Sequence, residues 1–178
     1  MVVNWALYGS SGQLAAGPGP VIERFSRRAE RTLLPNHHFK SILRTAAGAA
    51  VGGNPHAFRL APPFRAVHGD GRDLAAHALG INGLSREVVW APLRLNHYVV
   101  KSREEFLTRK LPRGRATSER MRDPGFFEAH DRNEVADPID PALAEATRIE
   151  RVRIAAHLGL LAGRPEASPA GREAAPAL

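Results

Sequence analysis

The segment Leu93–Arg115 constrains this chain more than any other, because its periodicity changes from strand to helix at one residue and both halves carry cations. Leu93, Leu95, His97 and Val99 alternate with Arg94, Asn96 and Tyr98, the period of a strand with one face inward. At Ser102 the pattern breaks. Ser102 is a good N-cap and Glu105 lies three positions on, so the pair predicts a capping box opening a short helix. That helix carries Phe106 inward and stops before Pro112, which cannot donate to a helical ladder. Gly114 then lets the chain turn between Arg113 and Arg115. A strand that delivers His97 and Lys101 beside a helix N-terminus is a suitable place to hold a metal-bound phosphate.

Such a unit needs a core, and 178 residues with 43% hydrophobic content are enough for one domain. Residues 2 to 8 read as a buried strand, and an apolar first strand with no leader predicts that further polypeptide normally precedes it. Gly9-Ser10-Ser11-Gly12 is a tight turn whose backbone amides could cradle an anion or bond a sugar. Val21–Phe25 is a short apolar segment carrying Glu23 and Arg24, and Phe39–Arg44 alternates enough for another strand. His37 and His38 precede it and would face opposite ways, which makes them poor joint metal ligands. Short strands are expected at 56–59 and 64–68, then a loop over 69–87. Asp123-Pro124-Gly125 reads as a break before the apolar anchors Phe126 and Phe127. Pro141 starts a packing helix in which Ile149, Val152, Ala156 and Leu160 share one face. The expected fold class is α/β, one domain over residues 1–162 followed by a disordered tail over 163–178.

The formal net charge of +7 suggests nucleic acid, yet nearly all the basic residues are Arg, Ala and Gly abound, and no stacking aromatics are interleaved with the cations. That bias matches a GC-rich coding sequence, and Arg suits bidentate phosphate contact, so a phosphorylated small molecule explains the charge and nucleic acid is not expected. No cysteine occurs, which excludes disulfides and thiolate metal sites. No apolar run approaches the ~20 residues of a membrane span and no signal-peptide pattern is visible, so a cytoplasmic protein is expected.

A neutral imidazole at a strand end, here His97, is a competent ligand for Mn²⁺ or a similar divalent ion. Lys101, Lys110, Arg113 and Arg115 could neutralise a departing diphosphate. A transfer reaction also wants a carboxylate base, and Glu23, Asp131 and Asp137 are the candidates by their place in polar clusters. Each has a plain alternative: a core histidine, a solvated basic face, exposed ion pairs. Asp70–Asp73 and Asp137–Asp140 lack the spacing of a metal-binding Asp-x-Asp. No Gly-x-x-x-x-Gly-Lys, His-Glu-x-x-His or Gly-x-Ser-x-Gly occurs.

Several blocks in order resemble a known family: Asn4-Trp5-x-x-Tyr8-Gly9-Ser10-Ser11-Gly12, Val21-Ile22-Glu23-Arg24-Phe25, Phe39-Lys40-Ser41-Ile42-Leu43-Arg44, and Asn96-His97-Tyr98-x-x-Lys101-Ser102-x-x-Glu105-Phe106 with Lys110 and Arg113-Gly114-Arg115. They are similar to the GT-A-type glycosyltransferases of the family 2 and family 92 groups, over roughly residues 3 to 140. The resemblance implies an inverting transfer from a nucleotide-sugar donor to a sugar, glycan or other acceptor, with Mn²⁺ or Mg²⁺, and leaves room for a membrane-associated acceptor. It implies that Trp5, Ser10, Ser11 and Gly12 line the acceptor side, that His97 meets the metal and that Lys101 approaches the diphosphate. The Asp-x-Asp of that fold belongs to a donor-binding half that would precede Trp5 and has no counterpart here. The expectation is therefore a partial GT-A-like mixed sheet with flanking helices, lacking the N-terminal nucleotide-binding half, a truncated enzyme. Two other readings stay open: a non-catalytic basic module for nucleic acid or an anionic polymer, and an inactive fragment.

Overall fold

The first strand, Val2–Leu7 (β1), is central, and its composition explains why. Val2, Ala6 and Leu7 are buried at both parities, as a strand covered on both faces requires. In the computed structural model, which describes residues 1–47, 50–52, 56–113 and 122–159, β1 lies between Phe39–Ser41 (β3) and Leu95–His97 (β6). Its first half pairs antiparallel with β3, Asn4 opposite Phe39. Its second half pairs parallel with β6, Trp5 opposite Leu95 and Leu7 opposite His97. The result is a small, open, mixed sheet in an α/β chain.

Asn4 is the polar exception in β1, fully buried and fully used. Its amide nitrogen donates to Ser85 Oγ at 2.8 Å and to the Asn36 carbonyl at 3.3 Å, while its oxygen accepts from Val89 N at 3.1 Å. Asn36, also buried, accepts from Leu7 N at 2.8 Å and donates to the Glu30 carbonyl at 2.9 Å. Two side-chain amides thus fasten the loops to β1, and each pairs both its oxygen and its nitrogen in doing so.

Several expected elements are shorter than their sequence patterns. The strand over 39–44 ends at Ser41, and the one over 93–99 is reduced to Leu95–His97. Beyond His97 the chain bends at Val99 and Val100 and then reaches Lys101 at φ 58, a left-handed conformation. Of the strands expected at 56–59 and 64–68, the first is Phe58–Arg59 (β5), paired antiparallel with Ala50–Val51 (β4), and the second contains only isolated bridges. Arg27–Arg28 (β2) pairs antiparallel with Val135–Ala136 (β7), a pairing invisible to periodicity.

The helices follow their caps. Val21–Arg24 (α1) is one turn. Ser102 caps Arg103–Glu105 (α2) through the expected capping box, after which Phe106–Lys110 widens into a single π turn closed by Leu111 N to the Phe106 carbonyl at 2.8 Å. Asp123-Pro124-Gly125, read as a break, instead starts Pro124–His130 (α3): the Asp123 carboxylate accepts from Phe126 N at 2.9 Å, and Pro124 occupies the first turn, where its missing N–H is harmless. Phe106, Phe127 and Val100 form the buried cluster on which these turns rest.

Met1–Ile139 forms one compact unit and Asp140–Leu178 a second. The described part of the second is the helix Pro141–His157 (α4), capped by Asp140, which accepts from Ala142 N at 2.8 Å and Leu143 N at 3.1 Å. Ile149 and Val152, expected on its packing face, are 61% and 59% exposed. Arg115, Leu160 and the tail 163–178 lie outside the described residues. Among the described residues, no helix is long and apolar enough to cross a membrane.

Candidate functional site

The left-handed turn at Lys101 is the feature that gathers the site. A non-glycine residue there is disfavoured by about 1 kcal/mol, and here it is held between buried Val100 and the buried N-cap Ser102. The turn follows β6 and brings Lys101 to a pocket of about 270 Å³ whose other polar lining is Tyr98, Glu105, Arg109, Lys110 and Arg113. Three of the four residues expected to meet a diphosphate therefore converge. Burial, followed by the nearby charges of Arg122, Lys101 and Arg113, lowers the Lys110 ammonium pKa. Like charges crowded into a partly dry pocket are relieved by an anion.

Glu105 is the one carboxylate lining this pocket among the described residues, and it is committed elsewhere. Its Oε2 accepts from Arg24 at 2.7 Å and from Ser102 Oγ at 2.9 Å. Burial raises its pKa, but the bonds from Arg24 and Ser102 outweigh that and hold it below its ordinary value.

Next to the cations stands an aromatic cluster. The His97 imidazole stacks on Trp5 at 4.0 Å with 12° between planes, and His38 and His56 approach the same indole at 4.7 and 5.7 Å. Burial first, then the charges of Lys110 and Lys40 and the neighbouring His130 and His38, push the His97 pKa down to about 4. The ring is neutral at pH 7, and its Nδ1 is buried without a hydrogen bond. A neutral, unbonded ring nitrogen suits a metal. Among the described residues, however, no group of three or more His, Asp or Glu gathers that could hold one. His97 fits as a single ligand; the described residues do not make a metal centre by themselves. One face of Trp5, expected to stack on a sugar, is covered by His97. His37 turns to the Ser85 carbonyl and the edge of His77, away from Trp5, as its adjacency to His38 predicts.

The Gly9–Gly12 turn does cradle an anion, but an internal one. Ser10 N donates to Asp131 Oδ1 at 2.6 Å, Ser10 Oγ to Asp131 Oδ2 at 3.1 Å, and Ser11 N to Asn133 Oδ1 at 2.7 Å. Gly12 N is taken by Ser10 Oγ, and Ser11 Oγ accepts from Ser26 N and Arg27 N. The amides expected to be open to a ligand are occupied by the chain's own side chains. Packing is tight enough at Gly9 that a Cβ would lie 2.5 Å from the Arg132 carbonyl oxygen and from Asn133 Oδ1. Gly9→Ala is therefore expected to destabilise the protein by about 2 kcal/mol, read as a lower urea midpoint at unchanged slope.

The two aspartates proposed as bases are both heavily bonded. Asp131 fills the turn. Asp137 Oδ2 accepts from Tyr8 Oη at 2.9 Å, Arg28 Nε at 2.7 Å and Arg94 at 2.7 Å. Burial would raise its pKa, yet the bonds from Tyr8 and Arg28 outweigh that and lower it. Tyr8 in turn has its pKa raised, by burial and then by the bond to Asp137. Glu23 lies on α1. None of the three lines the basic pocket.

No family model, curated protein or solved structure matches the chain.

Three pocket residues carried no functional reading in the sequence. Tyr98 is visible there as the residue next to His97, Arg109 as one arginine among many, and Glu105 as half of a capping box. The capping-box signal was the informative one, because a carboxylate at that position must lie beside whatever the N-cap turn presents.

Proposed function

We propose that the chain is the acceptor-side, C-terminal part of a GT-A-type glycosyltransferase, and that its basic pocket receives the diphosphate of a nucleotide-sugar donor. The observation that carries this reading is the convergence of Lys101, Lys110 and Arg113 on one cavity of about 270 Å³. The ordered sequence blocks from Asn4 to Arg115 support the same reading. In an inverting transfer, an acceptor hydroxyl attacks the anomeric carbon as the bond to the diphosphate breaks, and negative charge grows on the leaving phosphate. Fixed ammonium and guanidinium groups stabilise that charge without reorganising. The acceptor proton passes to a carboxylate, for which Glu23, Asp131 and Asp137 are the candidates. Trp5, Ser10, Ser11 and Gly12 belong to the acceptor side in this reading, Ser10 and Ser11 by shaping the turn through Asp131 and Asn133. A divalent cation, Mn²⁺ or Mg²⁺, would neutralise the diphosphate, with His97 giving one ring nitrogen.

The test is calorimetric titration of the chain with uridine diphosphate and guanosine diphosphate, with and without Mn²⁺. Lys110→Ala is expected to weaken binding at least tenfold, about 1.4 kcal/mol, as loss of a charge-assisted contact predicts. Equal affinities for wild type and variant would sink the proposal. If the chain instead binds single-stranded DNA tightly and with steep salt dependence, the basic-module reading replaces it.

A further inference from the structure

We propose that Arg24 and Glu105 act as positioning residues, a clamp that fixes the left-handed turn carrying Lys101 into the basic pocket; the inference rests on reading that pocket as a diphosphate site. The two side chains are only 11% and 7% exposed, and the guanidinium engages both carboxylate oxygens, at 2.7 and 3.4 Å. An ion pair this deep is weak evidence of stabilisation, since apolar residues often fill such a place as well. What it does here is geometric. Glu105 Oε2 accepts from Ser102 Oγ and lies 3.4 Å from Ser102 N, the amide immediately after Lys101. Arg24 thereby reaches, through one carboxylate, the peptide that sets the Lys101 turn.

Arg24 is itself held from its other side. Gln13 Oε1 accepts from Arg24 Nε and from its terminal nitrogen, each at 3.3 Å, and the Gln13 amide donates to the Arg24 carbonyl. The carbonyls of Gln13 and Leu14 accept from Arg103 N at 3.2 Å and Glu104 N at 2.9 Å, closing a loop around the N-terminus of α2. A lysine at φ 58 keeps that conformation only where its surroundings overdetermine it. This closed circuit, Gln13 to Arg24 to Glu105 to Ser102, is that surrounding.

The chain's lysines are Lys40, Lys101 and Lys110, so reductive methylation with ¹³C gives a spectrum with few side-chain signals to assign. Arg24→Gln is expected to move the Lys101 signal and leave that of Lys110 in place, with Arg24→Lys intermediate. Calorimetry with inorganic pyrophosphate supplies the second readout. Arg24→Gln should weaken binding about tenfold in the wild-type background and less than twofold in Lys101→Ala, a coupling that general loosening does not produce. An unmoved Lys101 signal, or equal losses in both backgrounds, overturns the proposal. So does movement of all three lysine signals in both Arg24 variants, which marks a role in stability alone. A moved Lys101 signal in a chain that binds no pyrophosphate supports the clamp and refutes the diphosphate reading.

Discussion

Replacing Phe106 with Ala is expected to destabilise the protein by about 4 kcal/mol, within the range measured for buried Phe truncations. The side chain is completely buried. It stacks on Phe126 at 6.0 Å with 5° between planes and tilts against Phe127 at 5.3 Å, with Val100 in the same cluster. Typical domains are stable by only about 5–15 kcal/mol, so this loss takes a large share of the total. Phe106 is also the first residue of the π turn that carries Lys110, so pocket and core fail together. Urea denaturation reads the first effect and pyrophosphate affinity the second. Phe106→Leu, which leaves a smaller void, is the control and should lose clearly less. Equal stability of Phe106→Ala and wild type would remove this cluster from the core.

The second expected result is a loss of stability in mild acid. His97 is held neutral, its pKa lowered from 6.5 to about 4 by burial and then by Lys110 and Lys40. Above pH 6.5 neither the folded nor the unfolded chain protonates it, and its full contribution is present. Between pH 6.5 and 4 the unfolded chain takes up a proton that the folded chain refuses, so stability falls with pH. At about 1.4 kcal/mol per pH unit the whole displacement approaches about 3 kcal/mol. The ring is only partly buried, and solvent screening reduces this to about 2 kcal/mol. His38, His56 and His68 are shifted the same way, each chiefly by burial, and steepen the same slope. Chemical denaturation at a series of pH values should show the decline, and His97→Asn should flatten it while lowering the plateau through loss of the Trp5 stack. A slope unchanged by that substitution would mean that His97 is not held neutral in the fold.

What the sequence disclosed was local. The buried first strand, the Ser102–Glu105 capping box and the Asp140-Pro141 helix start were all legible, because each depends on residues within a few positions of one another. The convergence of Lys101, Lys110 and Arg113 was legible for the same reason: they flank and end one short helical segment, Arg103–Lys110. What escaped was long-range. Nothing near Ser10 announces that Asp131 will fill its amides, and nothing near Asp137 announces Arg28, Arg94 and Tyr8. Pro124 and Gly125 signal a break as readily as a helix start, and only the bond from Phe126 N to the Asp123 carboxylate decides between them. Side-chain alternation over 93–99 likewise cannot reveal the bends at Val99 and Val100 that follow His97.

The parallel pairing of β1 with β6 sets the order in which this chain can assemble. β1 finds its antiparallel partner at Phe39–Ser41 but must wait for Leu95–His97 before its second half is paired, and for Asp131 before the turn beyond it is closed. Every intermediate before that point carries a half-paired apolar strand. Closing loops that long against so few local contacts makes folding slow, and the strand exposed in the interval is the segment of this protein most open to association with other chains.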